Sequence, residues 1–337
     1  MLIRAKAPLR IGFAGGGTDV PPFPEREGGC VLSATINKYA YGTLQPTKDN
    51  QIHIESVDFN LTLDYKIQDQ LIYDGKLDLV KAAIKKLEGQ NSTGFQLFLC
   101  SDAPPGSGLG SSSSLMVIVV GLLKELRNLP LTDYEIAHLA YIIERKEVGI
   151  EGGLQDQYAA TFGGWNFIEF QAKQVVVNPL RISQDIINEL EHNLLLCYTG
   201  STRLSAGIIE DQIKRYERGE EDNLVGLRRQ KALAIEMKNL LLQRKLREFG
   251  ELLHQAWEFK KKMSPRISDS RIDEIYETAR RAGAIGGKLS GAGGGGFMFF
   301  YCEFEKKHQV AAVLKKLGCQ ISDFTFDFHG LQTWRIT

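Results

Sequence analysis

Net charge is what this chain most conspicuously lacks: over 337 residues, Lys plus Arg and Asp plus Glu each count 41. No general field draws such a chain to nucleic acid or to an anionic membrane, so neither is expected as a partner. Any anionic ligand must instead be met by a local arrangement of groups. Long hydrophobic runs are also missing. The longest, Leu115 to Leu123, is too short to span a bilayer, and the N-terminus MLIRAKAPLRIGF lacks the apolar core a secretory signal needs. Cysteine is scarce, with Cys30, Cys100, Cys197, Cys302 and Cys319 forming an odd set without a CxxC pair. They read as reduced, buried thiols of a cytoplasmic protein. The six histidines show no paired ligand spacing, so no transition-metal site is expected.

What is present is apolar content for about two cores, at 43% hydrophobic residues, and a mixed order of elements. Short β-rich segments occur near Leu2 to Ala5, Cys30 to Leu44, Gln51 to Glu55 and Phe95 to Cys100. Helical spacing follows over Ser111 to Leu126 and Thr132 to Val148, the latter opening on a capping box of Thr132 and Glu135. Strands at Trp165 to Phe170 and Gln174 to Val177 lead to Pro179, and Asn193 to Tyr198 reads as another. Beyond them the spacing predicts helices over Ser205 to Arg218, Asn223 to Lys262 and Asp269 to Ala282. Ile321, Phe324, Phe326 and Phe328 then alternate as in a half-buried last strand. The fold class expected is α+β in two domains, residues 1–181 and 182–337.

Three glycine-rich segments stand out: GFAGGGTD from Gly12, PPGSGLGSSSS from Pro104 and GGKLSGAGGGGF from Gly286. Glycine lets backbone N–H groups approach a phosphate closely, and a helix beginning at Ser111 would add its free amides and positive dipole end. Spacing removes the familiar alternatives. Gly287-Lys288 has Ala282 and Leu289 where a Walker loop needs Gly and a hydroxyl residue. A dinucleotide fingerprint begun at Gly15 ends on Val20, and Ser107 has Pro105 where a nucleophile elbow needs Gly.

With these three segments in this order, the whole chain resembles the GHMP kinases, the superfamily of galactokinase, homoserine kinase and mevalonate kinase. The resemblance implies an N-terminal domain like the second domain of ribosomal protein S5, a ferredoxin-like C-terminal domain, and an active site between them. ATP and Mg²⁺ are the implied cofactors. Pro105, Gly106, Ser107, Gly108, Leu109, Gly110, Ser111, Ser112 and Ser113 match the ATP-phosphate motif, and Ser112 and Glu144 match the metal-binding pair. Asp156 in GGLQDQY matches the aspartate that accepts a proton or hydrogen bond from the acceptor hydroxyl. Arg10 matches the arginine beside it, a task that suits an always-charged fork; Lys6 is a weaker second candidate.

APLRIGFAGGGTDVPPF, ATINKYAYGT and GGLQDQYAATFGG together most resemble the branch that phosphorylates D-glycero-D-manno-heptose 7-phosphate on its anomeric hydroxyl. Asp19, with Gly16, Gly17 and Thr18, matches the sugar-binding segment, although galactokinases carry a Glu-His pair where this chain has glycines. Arg203, Lys288 and Gly291 are expected at the substrate as well, with Arg26 as a further basic candidate. Lys260, Lys261 and Lys262 read instead as a solvated helix end. Other sugar 1-kinases for fucose, galactose or N-acetylhexosamines share the layout, and a sugar sensor on a kinase fold is the non-enzymatic alternative. The chain is expected to act on a small-molecule sugar or sugar phosphate, as a monomer or homodimer.

Overall fold

The computed structural model describes residues 1–87, 93–202 and 206–336. Its first strand, β1 (Leu2–Ala14), extends well past the short segment expected, because Ile3, Ala5, Ala7, Leu9, Ile11 and Phe13 alternate inward without interruption. After a short helix, α1 (Phe23–Glu27), comes β2 (Gly29–Pro46), long enough to serve two neighbours. Its later half pairs with β5 (Phe95–Ser101) and its first half with β6 (Trp165–Gln171). The sheet is completed by β3 (Gln51–Ser56), β4 (Leu61–Lys66) and β7 (Gln174–Pro179), and every pairing except β3 with β5 is antiparallel. One face is covered by α2 (Asp78–Leu87), α3 (Ser111–Arg127), α4 (Asp133–Ile142) and α5 (Gln155–Phe162), which share a core of Val, Ile and Leu with β1, β2, β3 and β5.

The remainder runs α6 (Gln184–Asn193), β8 (Leu194–Tyr198), α7 (Ala206–Glu217), α8 (Glu221–Leu242), α9 (Leu246–Met263) and α10 (Ser270–Arg281). It closes with β9 (Ala284–Leu289), β10 (Phe297–Cys302), α11 (Lys307–Lys316), β11 (Gln320–Ser322) and β12 (Gln332–Ile336). Four of these strands form a second, antiparallel sheet in the order β11-β8-β10-β9. With helices between β8 and β9 and between β10 and β11, that is the ferredoxin-like connectivity. The result is a two-domain α+β fold.

Three expectations needed correction. The single helix over 223–262 is two, because the chain turns through Gln243–Lys245 with Arg244 at φ 62°, while the apolar spacing runs through the turn and hides it. The expected last strand is only Gln320–Ser322 plus one bridge from Phe326 to Ile36, and Phe328 lies exposed. The chain there crosses back to the first sheet, where β12 pairs with Leu2 to Lys6 along the edge of β1. The helix from Thr132 keeps its capping box but ends at Ile142, passing into one wide π turn, Ile143–Glu147. Helices α8 and α9 pack between the sheets, so Leu9, Phe13, Leu32, Met237, Phe249, Leu253 and Phe299 belong to one continuous core.

Candidate active site

In the second glycine segment Gly106, Gly108 and Gly110 adopt φ of 74°, 84° and 80°, a conformation costly for any residue with a Cβ. Their second constraint is space. A Cβ on Gly108 would meet the Ser290 carbonyl at 2.5 Å, and one on Gly291 would meet the Gly108 Cα at 2.7 Å. The second and third glycine segments therefore touch backbone to backbone, and the Phe297 N–H donates to the Ser107 carbonyl at 2.8 Å. Helix α3 begins just beyond, its N-terminus at Gly110 uncapped by any side chain. Its first amides have no partners within the helix. Gly106, Gly108, Gly110, Ser111, Ser112 and Ser113 line one open cleft together with Arg10, Asp19 and Asp156. Pro105, Ser107 and Leu109 do not line it; Ser107 and Leu109 are buried beneath the loop.

Arg10 joins this loop to the acid across the cleft. Its Nε donates to Asp156 Oδ1 at 2.8 Å, and its Nη2 lies 2.7 Å from the same oxygen. Nη1 donates to the Gly108 carbonyl at 2.6 Å and to Ser290 Oγ at 3.3 Å. One buried guanidinium thus ties β1, both glycine loops and α5 together. Asp156, in the first turn of α5, keeps 22% of its side chain exposed. Lys6 is elsewhere, stacked over the Tyr39 ring.

Asp19 faces the same cleft from the first glycine segment and is fully buried. It accepts hydrogen bonds from the Gly17 N–H at 3.0 Å, the Gln155 N–H at 3.1 Å and Gln155 Nε2 at 3.1 Å. Burial raises its pKa, opposed by the backbone N–H groups of Gln155 and Gly17 and reinforced by the charge of Asp156. Gly16 and Gly17 line the cleft beside it. Thr18 turns inward, donating to the Gly15 carbonyl at 2.7 Å and staying out of the cleft lining.

Glu144 sits on the π turn, a device that recurs at functional sites because it displaces one side chain from the helical register. Its buried carboxylate accepts from Ser113 Oγ at 2.8 Å, Ser112 Oγ at 3.4 Å and Gln157 Nε2. Arg145 Nη2 lies 3.7 Å away. Burial is the main cause of its raised pKa. Among the described residues no group of three His, Cys, Asp or Glu could hold a metal. Glu144 and Ser112 do present oxygen alone, the donor type Mg²⁺ takes when phosphates complete its shell.

The remaining basic candidates separate. Lys288 is buried with its ammonium on the Gly12 and Phe13 carbonyls at 3.0 and 3.3 Å, outside the cleft lining. Gly291 lines the cleft, Arg26 lies over the Tyr216 ring outside it, and Arg203 falls outside the described residues. Lys260 requires a correction. It is no solvated helix end: its side chain is 4% exposed, lines the cleft, and donates to the Leu289 and Gly291 carbonyls. A signal was available, because Phe249, Leu253, Ala256, Lys260 and Met263 fall on one helical stripe. Gln155, Gln157, Arg145 and Ser290 also belong to the site and carry no sequence signal beyond standing beside the motif residues.

The GHMP kinases N terminal domain matches residues 78–164 and the GHMP kinases C terminal model residues 237–321. D-glycero-alpha-D-manno-heptose 7-phosphate kinase of Campylobacter jejuni is 43% identical, across 99% of both chains. The chain belongs to the GHMP kinases. A crystal structure described as a D-glycero-D-manno-heptose 1-phosphate kinase from Bacteroides thetaiotaomicron superposes with a TM-score of 0.83 at 37% identity, covering 99% of each chain. The galactokinase of Lactococcus lactis, solved with galactose, shares the fold at a TM-score of 0.78 and 20% identity, over 98% of this chain and 95% of its own. As a sugar kinase of this family, the protein is an ATP-dependent phosphotransferase acting on a hydroxyl group. Among the described residues no helix of this kinase is long and apolar enough to cross a membrane.

Proposed function

We propose that the kinase transfers the terminal phosphoryl group of ATP to the anomeric C1 hydroxyl of D-glycero-D-manno-heptose 7-phosphate, giving the 1,7-bisphosphate. The observation that carries this reading is Asp156, an accessible carboxylate held by Arg10 against the phosphate loop. Asp156 accepts the proton or hydrogen bond of the attacking hydroxyl, and Arg10 fixes its orientation while its charge faces the transferring group. Asp19, flanked by Gly16 and Gly17, receives a sugar hydroxyl, and Gly291 closes the opposite wall. The loop from Gly106 to Ser113 holds the nucleotide phosphates on backbone amides. Ser112 and Glu144 hold Mg²⁺, which neutralises phosphate charge when bound. The acceptor is supported by the full-length similarity to the Campylobacter jejuni heptose 7-phosphate kinase. Of the glycines preceding Thr18-Asp19, Gly16 is the one without a close neighbour on its cleft side, where a Glu-His pair would place side chains, while Gly15 and Gly17 are packed against Cys30 and Met263.

In this reading the kinase works in the cytoplasm as a monomer or homodimer. The domain boundary lies near residue 181, with β12 belonging to the first sheet. ADP release measured with ATP, Mg²⁺ and a panel of heptose 7-phosphate, heptose 1-phosphate, fucose, galactose and N-acetylhexosamines tests the acceptor. Heptose 7-phosphate should give the highest kcat/KM. Preference for another sugar replaces the acceptor, and no ADP above background with any of them favours a sensor. Asp156→Asn should retain nucleotide binding and lose at least about a hundredfold in kcat, the usual scale of proton-transfer assistance. Unchanged turnover removes Asp156 from its role.

A further inference from the structure

Two buried cations bracket the joint between the second and third glycine segments. Arg10 holds the Gly108 carbonyl from one side and Lys260 holds the Gly291 carbonyl from the other, and Gly108 and Gly291 are packed against each other. Arg10 is also matched by Asp156. Lys260 is not matched in this way. Its ammonium carries three donors but among the described residues has two acceptors, both neutral carbonyls. The groups facing it are Arg10 from β1, Asp19 from the first glycine segment and Lys288 from β9, so the surrounding cations outnumber the carboxylate.

A buried lysine carrying only carbonyl partners is costly unless an anion completes it. We propose that Lys260 contacts a phosphate oxygen in the loaded cleft, supplied by the terminal phosphate of the nucleotide or by the sugar's own phosphate. The second source rests on the acceptor proposed above; the first does not. Lys260 is then an anion-binding residue supplied by the C-terminal half, facing a phosphate loop supplied by the N-terminal half.

The geometry has a proton signature. Burial, with Arg10 nearby, lowers the Lys260 pKa to about 7, so at pH 8 much of it is neutral before an anion arrives. An anion that favours the ammonium must draw a proton from solution. Arginine at this position would stay charged throughout and draw none.

The experiment is titration calorimetry of the full chain at pH 8, run in two buffers of different ionisation enthalpy. One arm uses a non-hydrolysable ATP analogue with Mg²⁺, the other heptose 7-phosphate. The arm whose phosphate reaches Lys260 should show proton uptake in the wild type. In Lys260→Met that uptake should vanish and affinity fall roughly ten- to a hundredfold, the scale of a charge-assisted hydrogen bond. Lys260→Arg should lose the uptake and keep most of the affinity. Lys260→Met binding both ligands as tightly as wild type overturns the proposal. If that variant fails to fold, Lys260→Arg with undiminished proton uptake overturns it equally. Failure of heptose 7-phosphate to bind even the wild type removes the acceptor reading and leaves the nucleotide arm to decide on Lys260.

Discussion

Arg10 shows how one residue can set the geometry of a site. Its planar fork reaches Asp156, Gly108 and Ser290 at once, which an ammonium on a flexible stem cannot reproduce. Arg10→Lys should therefore lower kcat by about tenfold or more while thermal stability falls modestly; steady-state kinetics beside a melting curve separates the two effects. Lys260 makes a prediction about pH. Its folded pKa of about 7 lies below the ordinary 10.5, so between those values the unfolded chain binds more protons and wild-type stability rises with pH. The penalty is fully present below the folded value. Lys260→Met removes it, so the stability of that variant relative to wild type should be greater at pH 6 than at pH 9. Melting temperatures across that range check the sign, and a flat difference would mean the ammonium is not desolvated in the folded state.

At the scale of elements, the loops were more legible in the sequence than the connections between helices. The glycine segments announced themselves because a positive φ and close backbone contact both disfavour a Cβ, and Gly108 and Gly291 answer to both demands. The turn at Arg244 was hidden because apolar spacing carries on through it, and the π turn because one extra residue per turn leaves no compositional mark. Gly153 is a stronger case for testing. A Cβ there would overlap the Asp19 carboxylate, which Gln155 holds from the same segment. Gly153→Ala should displace Asp19 and raise the acceptor KM several-fold. Nucleotide affinity should hold, since the nearest atoms that Cβ would meet all belong to Asp19 and none to the Gly106–Ser113 segment proposed to hold the nucleotide. Equal losses for both substrates would mean that the whole cleft had shifted.

For the molecule as a whole, local patterns forecast the elements but not which distant surfaces meet. The alternation over β1 forecasts a buried face; only the fold reveals that Phe13 stacks on Trp165 at 4.8 Å and meets Phe249 and Phe299 at 5.4 Å each. Those partners come from both sheets and from α9, so the two halves are joined by one core instead of a mobile hinge. β12 adds a second tie, carrying the chain back to the edge of β1. The kinase should accordingly unfold in a single cooperative transition, although it is built from two domains. Phe13→Ala tests this directly. Truncating a fully buried aromatic costs about 3–5 kcal/mol, and here the loss falls on the junction itself. The expected result is a lower melting temperature with the transition still single by calorimetry and circular dichroism. Two resolved transitions in the wild type would show that the halves fold independently. Because Arg10 and Lys260 approach the glycine joint from opposite halves, that outcome would also mean their alignment depends on ligand rather than on the shared core.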